Sequence, residues 1–300
     1  MSNYSGLKEK TQKYRSLFSE IIQNLIKIVM IYLIIIKNNA YITKCTSEIK
    51  LVIQGSGIQD LLNQPFDIQP SEVLVNGILN NSCGKTCNLN GDKNNITLKF
   101  RSEITSCKDM FRGLTNIIEV DLSKFNASKV KSMQNMFYKC SNLEKIYFGN
   151  MDTSSVENMA YFVSNCTKLT YIDISKFNTH KLKTMFAMFY LCSNLKEINF
   201  GSIKTSSVEN LQSIFNNCNR LTSINLSNFD TAKVTTMVYI FSSCSSLTFL
   251  DISNFDTSKV ISMFWMFYNC QKLETIKFGN INTSSVENMD HLFSNCKNLI

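Results

Sequence analysis

The stretch "MFYKCSNLEKIYF", Met136 to Phe148, has near-copies on both sides. Twenty-six residues earlier the chain reads "MFRGLTNIIEVDL", and twenty-six residues later it reads "FVSNCTKLTYIDI". Cys140 returns at the same interval as Cys166, Cys192, Cys218, Cys244, Cys270 and Cys296. Self-similarity at a fixed period of this size is the signature of a repeat architecture, in which each unit buries its apolar side chains against its neighbours. Seven units of 26 residues fill 115–296 of the 300-residue chain. A half unit, "ITSCKDMFRGL", occupies 104–114, and a truncated unit runs from 297 to 300.

Within a unit, one half has helical spacing. Val130, Met133, Met136, Phe137 and Cys140 fall on one arc at about 100° per residue, which predicts a short helix with one apolar face. Ser/Thr-rich sequence precedes it, as in "DTSSVEN" at 152–158. Ser154 and Glu157 there fit a capping box. The other half alternates like a strand: Leu143, Ile146 and Phe148 recur as Leu169, Ile172, Ile174 and as Leu247, Leu250, Ile252. The L-x-x-I-x-F/L pattern is a leucine-rich-repeat strand signature with mild substitutions. A lone unit buries too little apolar surface to offset the ordering of its 26 residues, so units must stack.

The longer run "FDTSKVISMFWMFYNCQKLETIKF", 255–278, resembles the BspA-like leucine-rich repeat family, and the resemblance extends from about Ile104 to Ile300. It implies an exported surface protein associated with adhesion and with host or matrix binding, and it carries no catalytic residues. The expected fold is an α/β leucine-rich-repeat solenoid. It would have a parallel sheet on the concave face, short helices on the convex face, and a β-rich N-terminal cap over 46–103, where "EIKLVIQGSG" and "NNITLKF" read as strands.

The cysteine column admits several chemistries. A metal site needs ligands converging within a few ångströms, usually paired Cys or His, and one cysteine per unit does not supply that. Disulfides need Cα atoms within about 7 Å, closer than helices on the outside of a solenoid usually stand. The half unit puts Leu114 on the cysteine column and Cys107 on the methionine column, so the column asks for an apolar body. Free thiols packed as small hydrophobes are the expectation. Cys83 and Cys87 differ. They lie in the turn-rich "NSCGKTCNLNGD", and a disulfide there is compatible with export. No cofactor or metal is expected, and His180 and His291 join no triad-like arrangement.

The formal net charge is +8, but residues 1–50 carry eight Lys/Arg against three Glu, so the body is close to balanced. Nucleic-acid binding usually needs a concentrated basic face, and the repeats show none. "IVMIYLIII" at 28–36 is too short to span a bilayer. Following a basic stretch, it suits a signal peptide or signal anchor within a 1–45 leader, and a buried core segment is the alternative. The expected localisation is the cell surface or outside the cell, with membrane contact only through this segment.

Binding residues are sought on the outward strand positions. One column holds Asp121, Tyr147, Asp173, Asn199, Asn225, Asp251 and Lys277, and the adjacent one holds Glu119, Lys145, Tyr171, Glu197, Ser223, Phe249 and Thr275. Tyr147, Tyr171 and Phe249, with Asp173 and Asp251 beside them, are the expected anchors for a protein or glycan ligand. Sequons at Asn80, Asn95, Asn126, Asn225 and Asn282 are candidate glycosylation sites in an exported eukaryotic protein. The open final rung offers end-to-end self-association. An intracellular scaffold or signalling module is the rival function.

Overall fold

The computed structural model describes residues 18–34 and 47–300, in two units, 1–45 and 46–300. Residues 18–34 form helix α1, whose apolar side chains are exposed from Phe18 to Ile34. Among the described residues no helix is long and apolar enough to cross a membrane. The remainder of the expected leader lies outside the described residues.

The second unit begins with β1 (Ser47–Gln54), β2 (Gly57–Asp60), β3 (Glu72–Val75), β4 (Ile78–Leu79), β5 (Thr86–Leu89) and β6 (Lys93–Phe100). Alternation places Ile49, Leu51 and Ile53 of β1 in the core with Ile96, Leu98 and Phe100 of β6. β3 and β4 form a hairpin through Asn76 and Gly77, both with positive φ (51° and 84°), the backbone that an Asn-Gly turn supplies at low cost. β1 pairs antiparallel with β6 and, on its other edge, with β7 (Ile117–Asp121). β7 then pairs in parallel with β8 (Lys145–Tyr147). The first repeat strands are thus continuous with the N-terminal segment in one mixed six-stranded sheet, in the order β4-β3-β6-β1-β7-β8.

The expected leucine-rich-repeat solenoid is not formed, and both of its layers are corrected. Residues 47–300 contain no helix. Where a helix was expected over 130–140, Asn135 and Lys139 have φ of 55° and 63°. The same two positions are left-handed in every unit, for example Tyr161 with Asn165 and Trp265 with Asn269. An α-helix cannot contain such residues. The segment is a run of tight turns, with its N–H groups directed alternately. Met133, Asn135, Phe137 and Lys139 donate to carbonyls of the next unit (Asn158, Ala160, Phe162, Ser164) at 2.8–2.9 Å. Met136, Tyr138 and Cys140 donate back three residues at 3.1–3.2 Å. The apolar arc is nonetheless buried: Val130, Met133, Met136, Phe137 and Cys140 are fully inaccessible. Ser154 caps no helix; its N–H donates to Asp152 Oδ1 at 2.9 Å in a local turn.

The continuous parallel sheet is absent as well. Beyond β7–β8, strands pair in parallel only between β9 (Tyr171–Asp173) and β10 (Glu197–Asn199), and between β11 (Phe249–Ile252) and β12 (Thr275–Phe278), with single parallel bridges elsewhere, such as Ser132 to Asn158. Residues 223–225 form no strand. The sequence explains the alternation. One column reads Ser123, Gly149, Ser175, Gly201, Ser227, Ser253, Gly279. Strands pair where Ser is followed by Gly, and nowhere else among the repeats. A Cβ on Gly149 would lie 2.7 Å from Ser123 Cβ, and one on Gly201 would lie 2.5 Å from Ser175 Cβ. Only glycine admits that approach, and φ near 60° at both positions favours it again. At the Gly-to-Ser junctions two phenyl rings meet edge to face instead. Phe148 meets Phe177 at 4.8 Å and Phe200 meets Phe229 at 5.0 Å.

A buried threonine column ties the units elsewhere. Thr153, Thr179, Thr205, Thr231 and Thr257 each donate Oγ1–H to a carbonyl 25 residues ahead, at 2.6–3.1 Å. Thr205 Oγ1 also accepts the N–H of Asp230 at 2.7 Å.

Candidate functional site on the strand face

Because β8 and β9 are not bonded to each other, a groove of about 780 Å³ opens between them. Its walls carry Asp121, Lys145, Tyr147, Tyr171, Asp173 and Lys176, over a floor that includes Phe148 and Phe177. Tyr147 and Tyr171 are 48% and 44% exposed, large for aromatic rings in a folded chain. A second opening of about 470 Å³ lies at the next Gly-to-Ser junction, between β10 and residues 222–225.

The carboxylates on this face are also structural. Asp173 Oδ1 accepts the N–H of Ser175 at 2.9 Å. Burial pushes the Asp173 acid up, but hydrogen bonds from Ser175, Asn199 and Tyr171 outweigh it and hold the group below the usual carboxylate range. Burial and the neighbouring Asp173 charge raise the Tyr171 phenol, so the pair is an anion beside a neutral hydroxyl at neutral pH. Asp251 is more fully engaged. Its Oδ1 accepts from the Ser253 N–H and hydroxyl at 3.0 and 2.6 Å, and its Oδ2 pairs with Lys277 Nζ at 3.0 Å. Hydrogen bonds from Ser253, then Lys277, draw its acid down to about 2. Lys145 pairs with Glu119 at 3.6 Å.

Of the five residues expected to bind, Tyr147, Tyr171 and Asp173 share one groove. Phe249, 50% exposed, and Asp251 lie on β11, away from it. The groove itself and the contribution of Lys176 were missed at the sequence level. The Ser/Gly alternation was the signal that could have located both openings.

The cysteines occupy a different region. Cys107, Cys140, Cys166, Cys192, Cys218, Cys244 and Cys270 are buried and free, and Cys296 is half-buried and free. Each thiol from Cys140 to Cys296 donates to the carbonyl 29 residues before it, at 2.9–3.2 Å. Burial pushes the Cys140, Cys192 and Cys244 thiols up to about 12, so they stay protonated. Cys83 and Cys87 are joined in a disulfide with Cα atoms 4.6 Å apart. Among the described residues no group of three or more His, Cys, Asp or Glu is placed to hold a metal ion. His180 and His291 are exposed. Asn95, Asn126, Asn225 and Asn282 are exposed and Asn80 is half-buried. The Asn126, Asn225 and Asn282 side chains accept N–H bonds from residues two further on.

Units joined through backbone ladders, with grooves recurring on the strand side, define a tandem-repeat protein. The chain belongs to the family described as "Mycoplasma protein of unknown function, DUF285", whose family model matches residues 105–222 and 192–300, spanning the repeats. No curated protein and no solved structure matches the chain.

Proposed function

We propose that this chain is a non-catalytic binding protein, displayed on the cell surface or secreted, that recognises protein or glycan through its strand face. We also infer that its repeats are of the BspA-like kind, as the pattern in 255–278 suggests. The observation that carries the reading is the groove in which two exposed tyrosines stand beside an ionised Asp173. Aromatic anchors next to hydrogen-bonding groups are what recognition surfaces use. The Cys83–Cys87 disulfide suits an oxidising compartment. The rival reading, an intracellular interaction module, draws on the eight free cysteines among the described residues.

The test is protease treatment of intact cells producing the chain with a C-terminal tag. Loss of the tagged band, with cytosolic markers untouched, supports surface display. A band that survives while known surface proteins are shaved overturns it. In the same cells, replacing Tyr147, Tyr171 and Phe249 together by alanine is expected to weaken adhesion without unfolding the chain. Unchanged adhesion would move the site off the strand face.

A further inference from the structure

The two openings are not independent accidents of packing. Both sit at Gly-to-Ser junctions, where a phenylalanine pair meets edge to face, and they are two units apart. Resting on the strand-face reading above, we propose that together they hold a linear polysaccharide of neutral or amino sugars, laid across successive units with one two-sugar repeat for every two units.

Three observations lead there. The first is spacing. Ladder neighbours stand about 4.8 Å apart, so two units advance about 9.6 Å along the turn-side ladder and more on the strand face, where β8 and β9 are unpaired, which is on the scale of the two-sugar repeat of a ribbon-like polysaccharide. The second is chemistry. The first groove presents the carboxylates of Asp121, Glu144 and Asp173 with the ammonium groups of Lys145 and Lys176, and the second presents Glu197, Asn199 and Asn225 with Lys196. Both grooves thus mix acceptors with donors, and sugar hydroxyls, each donor and acceptor at once, can answer both. A proline-rich segment advances about 9.3 Å per turn and would match the spacing equally well. It offers carbonyl acceptors to the lysines but few N–H groups to the carboxylate oxygens that Ser123 and Ser175 leave free. The third is the pair of exposed rings, Tyr147 and Tyr171, which give the apolar C–H face of a sugar a flat surface to stack on. The Phe148–Phe177 pair holds the groove open before any ligand arrives, so little ordering is left for binding to bring about.

The experiment uses the full chain, with defined oligomers of N-acetylglucosamine and of glucose as probes in calorimetry and affinity electrophoresis. Affinity is expected to rise about tenfold when the oligomer grows from two sugars to four, as the second opening is engaged. The Tyr147→Ala/Tyr171→Ala double variant is expected to lose about tenfold or more, with an unchanged Tm. Failure of every oligomer to bind folded protein overturns the polysaccharide assignment. If poly-L-proline or a lysine-rich peptide binds instead, and the double variant abolishes it, the polysaccharide falls while the strand-face reading stands. Oligosaccharide binding that the double variant leaves intact overturns both.

Discussion

On the turn side of the repeats, the positions of Asn135, Phe137 and Lys139 donate N–H bonds to the following unit without interruption, from Asp109 through to the carbonyl of Ser294. On the strand side, the backbone bonds come only at alternate junctions and fail entirely around 223–225. One chain, with one period, thus makes a continuous ladder on one side and separate pieces of sheet on the other. The difference lies in what each side must satisfy. The turns carry the Phe and Cys columns into the core, where an unpaired backbone group has no water to turn to. The strand side meets solvent, which can serve the donors and acceptors that pairing leaves over. Freedom to open is therefore confined to the solvated side, and that is where the grooves are.

The sharpest way to break the comparison is to attack the continuous side. Phe189 is fully buried and stacks on Phe215 with ring centroids 5.8 Å apart. Phe189→Ala is expected to cost about 3–5 kcal/mol, the usual range for truncating a core phenylalanine. Urea unfolding measures it, and a loss below 1 kcal/mol would mean that the turn side is not the scaffold. Next comes the glycine that permits strand pairing. Gly201→Ala forces a Cβ to 2.5 Å from Ser175 Cβ at a φ of 55°, for about 2–3 kcal/mol. Hydrogen exchange should show β9 and β10 losing protection down to the level of residues 223–225, while the Phe189 and Leu191 amides keep theirs. Loss of protection on both sides together would show that the two sides are one cooperative structure.

The threonine column tests a smaller link between units. Thr205→Val keeps the shape but removes a hydroxyl that donates to the Asp230 carbonyl at 2.8 Å and accepts its N–H at 2.7 Å. Two backbone groups lose their partner, and about 1–2 kcal/mol is expected by the same unfolding assay.

These comparisons also show how far the sequence could be read. Periodicity identified the repeat, the inward residues of the turn segment and the strand positions, because burial follows side-chain spacing whatever the backbone does. It could not tell a helix from a run of turns, since Val130, Met133, Met136, Phe137 and Cys140 line one side in either. The distinguishing mark was the column Gly113, Lys139, Asn165, Leu191, Asn217, Ser243, Asn269, Asn295. It is rich in the residues that tolerate a left-handed backbone. Lys139 and Leu191 blurred it, because there the ladder overrides local preference. The groove was half legible. Tyr147, Tyr171 and Asp173 were found by strand alternation, but the gap between β8 and β9 depends on what glycine permits one junction earlier. The cysteine column read as apolar, and its thiol-to-carbonyl bonds depend on the turn geometry that periodicity did not supply.

The next effect belongs to pH on the strand side. Asp251 has its acid lowered to about 2 by Ser253 and Lys277. A depressed folded-state value means that its contribution is present above the ordinary value of 3.8 and is lost as pH falls from there through about 2. Because the pair is exposed, the contribution is small and salt screens it. β11–β12 amides should lose protection over that window while the turn-side amides do not, and Asp251→Asn should remove the dependence.

The smallest effect on stability carries the most information about function. Tyr171 sits at the start of β9, 44% exposed, with its hydroxyl bonded to Asp173 and Asn199, and it shares the wall of a groove floored by Phe148 and Phe177. Tyr171→Ala is expected to shift stability by no more than about 0.5 kcal/mol. An aromatic ring that stability does not require, standing over a groove propped open by Phe148 and Phe177, should be silent in denaturant and conspicuous in binding. If Tyr171→Ala instead costs as much as Thr205→Val, the ring belongs to the scaffold. The division of labour between the two sides of the repeat would then have to be redrawn.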